Sequence, residues 1–172
     1  LLTLWNCYSF YVTYASVDEI TPSKLDVPME ERTDLDRWIT SKFQHLVRLG
    51  RECFEDYRVH SFMERFDRFV DDLSNWYLRR SRRRFWKSES DTEKLAAYAT
   101  LYEVLEGLIR VMAPVLPFLT EEIYQNVVRS VVPDAPPSVH LLPYPEYDES
   151  LVDDELEARI DAVVRMKNLG LS

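Results

Sequence analysis

The sequence predicts an all-α fold, and three observations carry that reading. Apolar residues recur at helical spacing along nearly all of its 172 residues, charged residues make up 30%, and only three glycines occur. Gly50, Gly107 and Gly170 stand alone, so no glycine-rich loop is present to cradle nucleotide phosphates. A hydrophobic content of 46% is ample for the core of one domain, or of one domain with an appendage.

The elements follow in order. A first helix is expected over about residues 1–16, with Leu1, Trp5, Tyr8, Val12 and Ala15 near one face. Although apolar, this stretch has no basic segment before it and is interrupted by Asn6, Ser9, Thr13 and Ser16. It reads as neither a signal peptide nor a membrane span. The chain starts at Leu1 in mid-helix, which suggests a piece of a longer protein. Pro22 and Pro28 discourage helix in the polar connector Thr21 to Arg32. Thr33 and Asp36 have capping-box spacing and open a second helix, which runs to about Tyr57 and buries Leu35, Ile39, Phe43, Leu46 and Cys53. Ser61 and Glu64 repeat the spacing ahead of a third, with Phe62, Phe66, Phe69, Val70, Leu73, Trp76 and Tyr77 in period.

Ser90 and Glu93 repeat it again before a fourth helix, whose stripe holds Leu95, Tyr98, Tyr102, Leu105, Leu108, Ile109 and Met112. The segment Ala113-Pro114-Val115-Leu116-Pro117 ends that helix. A fifth, about residues 118–129, sets Thr120, Glu121 and Glu122 near the positive end of its dipole and buries Leu119, Ile123 and Val127. Five prolines between 133 and 147 make an extended connector, with at most a short strand at Val139 to Leu142. Asp153 to Leu169 resumes helix through Leu156, Ile160, Val163 and Val164, and stops at Gly170. The expected division is a bundle of about five helices over 1–130, a Pro-rich connector packed on it over 131–150, and a C-terminal helix over 151–172.

Function concentrates at the end of the third helix. Residues 74–86 read Ser-Asn-Trp-Tyr-Leu-Arg-Arg-Ser-Arg-Arg-Arg-Phe-Trp, and between Arg79 and Lys87 six of nine residues are cationic and none acidic. The whole chain carries 21 Lys and Arg against 30 Asp and Glu, so the remaining 163 residues hold 15 positive and 30 negative charges. Such asymmetry points to a local anionic partner rather than a generally sticky surface. One or two cations would complement the helix dipole; six exceed that need. On a regular helix, Trp76, Arg79, Arg80, Arg83 and Lys87 fall along one side, with Arg82 and Phe85 facing elsewhere. Guanidinium groups suit phosphate oxygens, and Trp76, Tyr77, Phe85 and Trp86 either stack on bases or anchor the segment. Both roles are open. Asp71 and Asp72, about two turns earlier, are placed to pair with arginines of another helix.

Catalytic chemistry is not evident. His45, His60 and His140 lie in unrelated settings, no serine or cysteine has a base beside it, and the paired carboxylates read as solvated helix starts. Cys7 and Cys53 lack metal spacing and read as reduced, partly buried thiols. No metal site is expected.

Taken with the landmarks along the chain, the basic block resembles the anticodon-binding helical domain of class I aminoacyl-tRNA synthetases, the isoleucyl family most closely. The landmarks are Leu4-Trp5-Asn6 with Tyr8, Ser9 and Phe10; Leu35-Asp36-Arg37-Trp38-Ile39; the Asp71 to Trp86 block; Ala97 to Tyr102; Ala113-Pro114 with Pro117-Phe118-Leu119; Glu121-Glu122-Ile123-Tyr124; and Ser138-Val139-His140-Leu141. They cover nearly the whole chain. Valyl, leucyl and methionyl families share the Asp36-Arg37-Trp38 opening and the Pro-Phe-x-x-Glu-Glu element in similar form, while the arginine string favours the isoleucyl family.

The resemblance implies an antiparallel helix bundle that holds the anticodon arm of an isoleucine-accepting tRNA. A monomeric, cytoplasmic ligase with no membrane association is expected. Catalytic and C-terminal domains of the same polypeptide would be partners, with ATP and Mg serving the catalytic domain and no cofactor in this segment. The signatures His-Ile-Gly-His and Lys-Met-Ser-Lys-Ser are absent, so the segment by itself is expected to be non-catalytic. Arg79, Arg80, Arg83 and Lys87 are the candidates for phosphate contact, and Trp76 and Trp86 for stacking. A structural spacer whose arginines bridge to a neighbouring domain is the competing reading, and the equivalent domain of a valyl or leucyl enzyme another.

Overall fold

In the computed structural model, which describes residues 1–86 and 91–169, helices follow one another closely except across the connectors 18–33 and 130–153, and no strand occurs among the described residues. The elements are α1 (Leu2–Val17), α2 (Asp34–Glu55), α3 (Val59–Asp71), α4 (Arg79–Trp86), α5 (Asp91–Met112), α6 (Pro117–Tyr124) and α7 (Asp154–Leu169). Wide π-helical turns over Asp72–Leu78 and Gln125–Arg129 extend α3 and α6 without a break. The third rod therefore runs from Val59 through the wide turn into α4, in helical backbone at both joints.

α5 is the hub. Of its residues from Ala96 onward, only Tyr102, Glu103, Glu106 and Arg110 are not fully buried, and α1, α2, α4 and α6 pack around it. The aromatic ring of Phe43 lies where a side chain at Gly107 would project, so a bare α-carbon lets α2 cross α5 closely. Two helix ends use left-handed residues without glycine. Tyr57 (φ 58°) closes α2, with the Arg58 amide donating to the Cys53 carbonyl at 2.7 Å, and Glu19 (φ 51°) follows the end of α1.

Thr33 and Asp36 form the expected capping box: the Thr33 amide donates to Asp36 Oδ2 at 3.0 Å and the Asp36 amide to Thr33 Oγ1 at 3.4 Å. The connector before it is tied down by an arginine that sequence reasoning passed over. Arg32 is buried, donates to the Val27 carbonyl, and grips Glu103 of α5 with both terminal nitrogens at 2.6 Å.

Other expectations need correction. α3 starts at Val59 after Arg58, so Ser61 lies inside the helix and caps nothing. Ser90, the third expected cap, lies outside the described residues, as does Gly170. Val139–Leu141 is a 3-10 turn and not a strand, because Glu121 accepts from both Ser138 Oγ (2.8 Å) and the Val139 amide (3.0 Å) and folds the chain back on α6. Leu119 is only half-buried, and Val163 faces solvent while Leu156 enters the core. Cys7 and Cys53 are fully buried rather than partly so, and burial raises the Cys7 thiol to about 11 despite a hydrogen bond with Ser74. No helix of the described residues is long and apolar enough to cross a membrane.

Candidate nucleic-acid interface

The basic block divides into one internal arginine and a set of outward ones. Arg84 turns inward and is mostly buried, donating to Asp36 Oδ1 at 2.9 Å and Oδ2 at 2.7 Å, and to the Glu93 carbonyl at 3.0 Å. Asp36 has no exposure and also accepts from the Tyr77 hydroxyl at 2.7 Å. A single carboxylate thus caps α2, neutralises Arg84 and satisfies a fully buried tyrosine. Burial pushes the Asp36 carboxyl up, but the hydrogen bonds and charge of Arg84, helped by Thr33 and Tyr77, outweigh it and hold the group below its usual range.

Arg79, Arg80, Arg82 and Arg83 are all exposed, and none has a carboxylate partner within ion-pair distance among the described residues. Ser81 and Phe85 point to the core, so helical spacing puts Arg79 and Arg83 at the centre of the outward arc. Arg80 takes one flank. Arg82 takes the other beside Trp86, so the cationic surface is wider than the one-sided stripe expected from sequence. Lys87 lies outside the described residues.

The aromatic residues divide as well. Trp76 is only 6% exposed and carries the Arg80 guanidinium 4.2 Å from its ring centroid, which leaves little of it open to a base. The wide turn is the cause, since it lets three successive residues, Trp76, Tyr77 and Leu78, all reach the core. Trp86 is 54% exposed, and Tyr14 lies 5.9 Å away across the ring centroids. Phe85 packs edge-on against Phe10 at 5.0 Å and Tyr98 at 4.8 Å, fastening α4 to α1 and α5.

Asp71 and Asp72 do not orient arginines. Asp72 accepts from Lys42 of α2 at 2.6 Å, and Asp71 accepts from Asn75 at 2.5 Å. Lys42 also meets Asp161 of α7 at 3.3 Å, so one ammonium ties three rods together. Nearby, Arg48 donates to His45 Nδ1 at 3.3 Å, which leaves the proton on Nε2 to be donated to Asp154 at 3.0 Å. His45, Asp154 and Glu157 also lie within ligand distance of one another, with the Asp154 carboxylate largely exposed.

These charges make stability depend on pH in two opposing ways. Asp36 has a depressed folded value, so its contribution is complete above the ordinary carboxylate value of about 4 and is lost as pH falls through the lower folded value. Asp72, Glu106 and Glu157 are raised, chiefly by burial, so their contribution is present below that ordinary value and is lost as pH climbs through their folded values. Denaturant midpoints measured from pH 3 to 8 should therefore peak near the ordinary carboxylate value of about 4 and decline as pH rises from there. Asp36→Asn should flatten the acid limb selectively, and an acid limb unchanged in that variant would contradict the assignment.

The fold and its surface define an all-α bundle with a field of exposed arginines that have no carboxylate partner among the described residues, on an otherwise acidic molecule. The family described as the anticodon-binding domain of tRNA ligase matches residues 36–169, and the chain belongs to that family. It is similar to the isoleucine–tRNA ligase of Clostridium novyi (strain NT), at 45% identity over 172 residues, all of this chain and 16% of that protein. The isoleucine–tRNA ligase of Dehalococcoides mccartyi (strain ATCC BAA-2266 / KCTC 15142 / 195) is 47% identical over the same 172 residues, 17% of its length. That of Thermus thermophilus is 46% identical over 170 residues, covering 98% of this chain and 16% of the relative. The chain spans about a sixth of the length of these curated relatives.

Proposed function

We propose that this chain is the part of an isoleucine–tRNA ligase that grips the anticodon arm of its tRNA, while a region outside it carries the ATP- and Mg-dependent chemistry. Its role is positioning. The observation that carries this reading is the outward set Arg79, Arg80, Arg82 and Arg83, exposed and without carboxylate partners among the described residues, on a chain whose net charge is -9. In a molecule with so many carboxylates, four exposed cations gathered at one place with no such partner among the described residues are set for an external polyanion. Phosphate contacts by these groups would fix the register of the arm, and Trp86, half open to solvent, is the aromatic placed to stack on an unpaired base.

The test is binding of an isoleucine tRNA transcript to the chain across a salt series. With about four phosphates engaged, the logarithm of the affinity should fall with log salt at a slope of order -3 to -4. Arg79→Ala, Arg80→Ala and Arg83→Ala should each weaken binding and make the slope shallower. Titrations of all three variants that overlie the unmodified chain would instead support a spacer whose arginines meet a neighbouring domain.

A further inference from the structure

The indole of Trp76 gathers a second cation from a distant part of the chain. Lys167, in the last turn of α7, sets its ammonium 4.9 Å from the centroid of the ring that Arg80 approaches at 4.2 Å. Two like charges thus converge on one aromatic ring, although 87 positions separate them in sequence. Neither has a carboxylate partner among the described residues. Each touches the ring through its cationic head, and both residues are exposed. The attraction of an indole for a cation is modest where water competes, and it does not remove the mutual repulsion of two cations sharing one ring.

From this convergence we infer that Arg80 and Lys167, seated on Trp76, form a phosphodiester-binding site built across two helices. The inference rests on the proposed RNA-binding role and adds α7 to it. The donor set suits the ligand. A guanidinium presents a planar fork to two phosphate oxygens, and an ammonium adds a compact charge from a second direction. Arg80 and Lys167 have no hydrogen-bond partners within the protein among the described residues, so their donors are available. Trp76, nearly buried in the core, is a stiff floor that limits the rotamers of both long side chains before the ligand arrives.

The rest of α7 is held in place from its acidic half, which keeps Lys167 in register. Asp161 meets Lys42, Glu157 accepts from Ser41, and Asp154 accepts from His45. The opposite ends of this helix therefore do different work, carboxylates docking it to α2 and a lysine reaching the arginine surface. The sequence alone attached no function to this C-terminal helix.

The experiment uses the full chain, an isoleucine tRNA transcript and the variants Lys167→Gln, Arg80→Gln and the pair combined, with Arg79→Gln and Arg83→Gln for reference. All five alter exposed side chains, and circular dichroism verifies each fold. Lys167→Gln should weaken binding by about three- to tenfold and Arg80→Gln by a similar factor. Because both cations serve one phosphate, the double variant should lose clearly less than the product of the two, and its salt slope should drop by about one, not two. Inorganic phosphate should compete no better than chloride at equal ionic strength, since the seat takes a phosphate held within a backbone.

A Lys167→Gln titration that matches the unmodified chain, while Arg79→Gln and Arg83→Gln still weaken binding, overturns the seat and leaves the RNA-binding role intact. Strictly multiplicative losses with a slope change of about two mean separate phosphates and also overturn it. Selective competition by free phosphate overturns the backbone assignment. If none of the variants changes binding, the seat and the RNA-binding role fall together.

Discussion

Replacing Asp36 with asparagine should cost about 3–5 kcal/mol of folding stability, the range found when one partner of a buried ion pair is removed. The asparagine would still hydrogen-bond but would leave the Arg84 charge uncompensated in a site where Asp36 itself has no exposure. Urea unfolding followed by circular dichroism measures it, through a lower midpoint at unchanged slope. Arg84→Gln should fall in the same range, because it strands the Asp36 carboxylate. Combining Asp36→Leu with Arg84→Met should restore only part of the loss, since the Thr33 amide would lose its acceptor and Tyr77 would keep only the Ala97 carbonyl at 3.2 Å. A shift under about 1 kcal/mol in either single variant would show that the pair does not hold the basic helix.

The second large effect belongs to Phe85, whose ring is 1% exposed and wedged edge-on between Phe10 and Tyr98. Truncation to alanine should cost about 3–5 kcal/mol through lost transfer energy and the cavity left behind. Trp86 is the internal control. It is larger but half exposed, so Trp86→Ala should change stability by less than about 1 kcal/mol. Because α4 has only eight residues, loss of the Phe85 wedge should also loosen the arginines, and tRNA affinity should fall even though no phosphate contact has been altered. Equal stabilities for the two variants, read from thermal unfolding, would contradict this placement.

Much of this was readable from the residues. The capping box at Thr33 and Asp36, the aromatic stripe of α3 and the proline stop after Met112 are local signals, and they fold as their spacing says. What escaped depends on tertiary partners or on a change of helical pitch. No periodicity rule tells Arg84 from its neighbours in the run Arg82-Arg83-Arg84, because its inward turn is decided by a carboxylate 48 positions away. Trp76 was legible in the apolar period of α3, with anchoring and stacking both open, while the wide turn at Asp72–Leu78 that brings Trp76, Tyr77 and Leu78 together into the core carries no sequence signature. Lys167 was hidden for the same reason as Arg32. Its partner comes from another rod, and single-sequence reading sees only the residue's own helix.

The wide turn also makes the aim of the arginine surface a matter of residue count. Each position of an α-helix turns the chain by about 100°, so inserting one residue into the regular helix where Asp72–Leu78 meets Arg79 would rotate everything beyond it by roughly that angle. Charge would be driven inward and Ser81 and Phe85 outward, with composition almost unchanged. Point substitutions can tune how strongly this face attracts a polyanion, but a change of length at that joint is what can redirect it. Length, rather than chemistry, is thus the property of the segment that should tolerate least alteration.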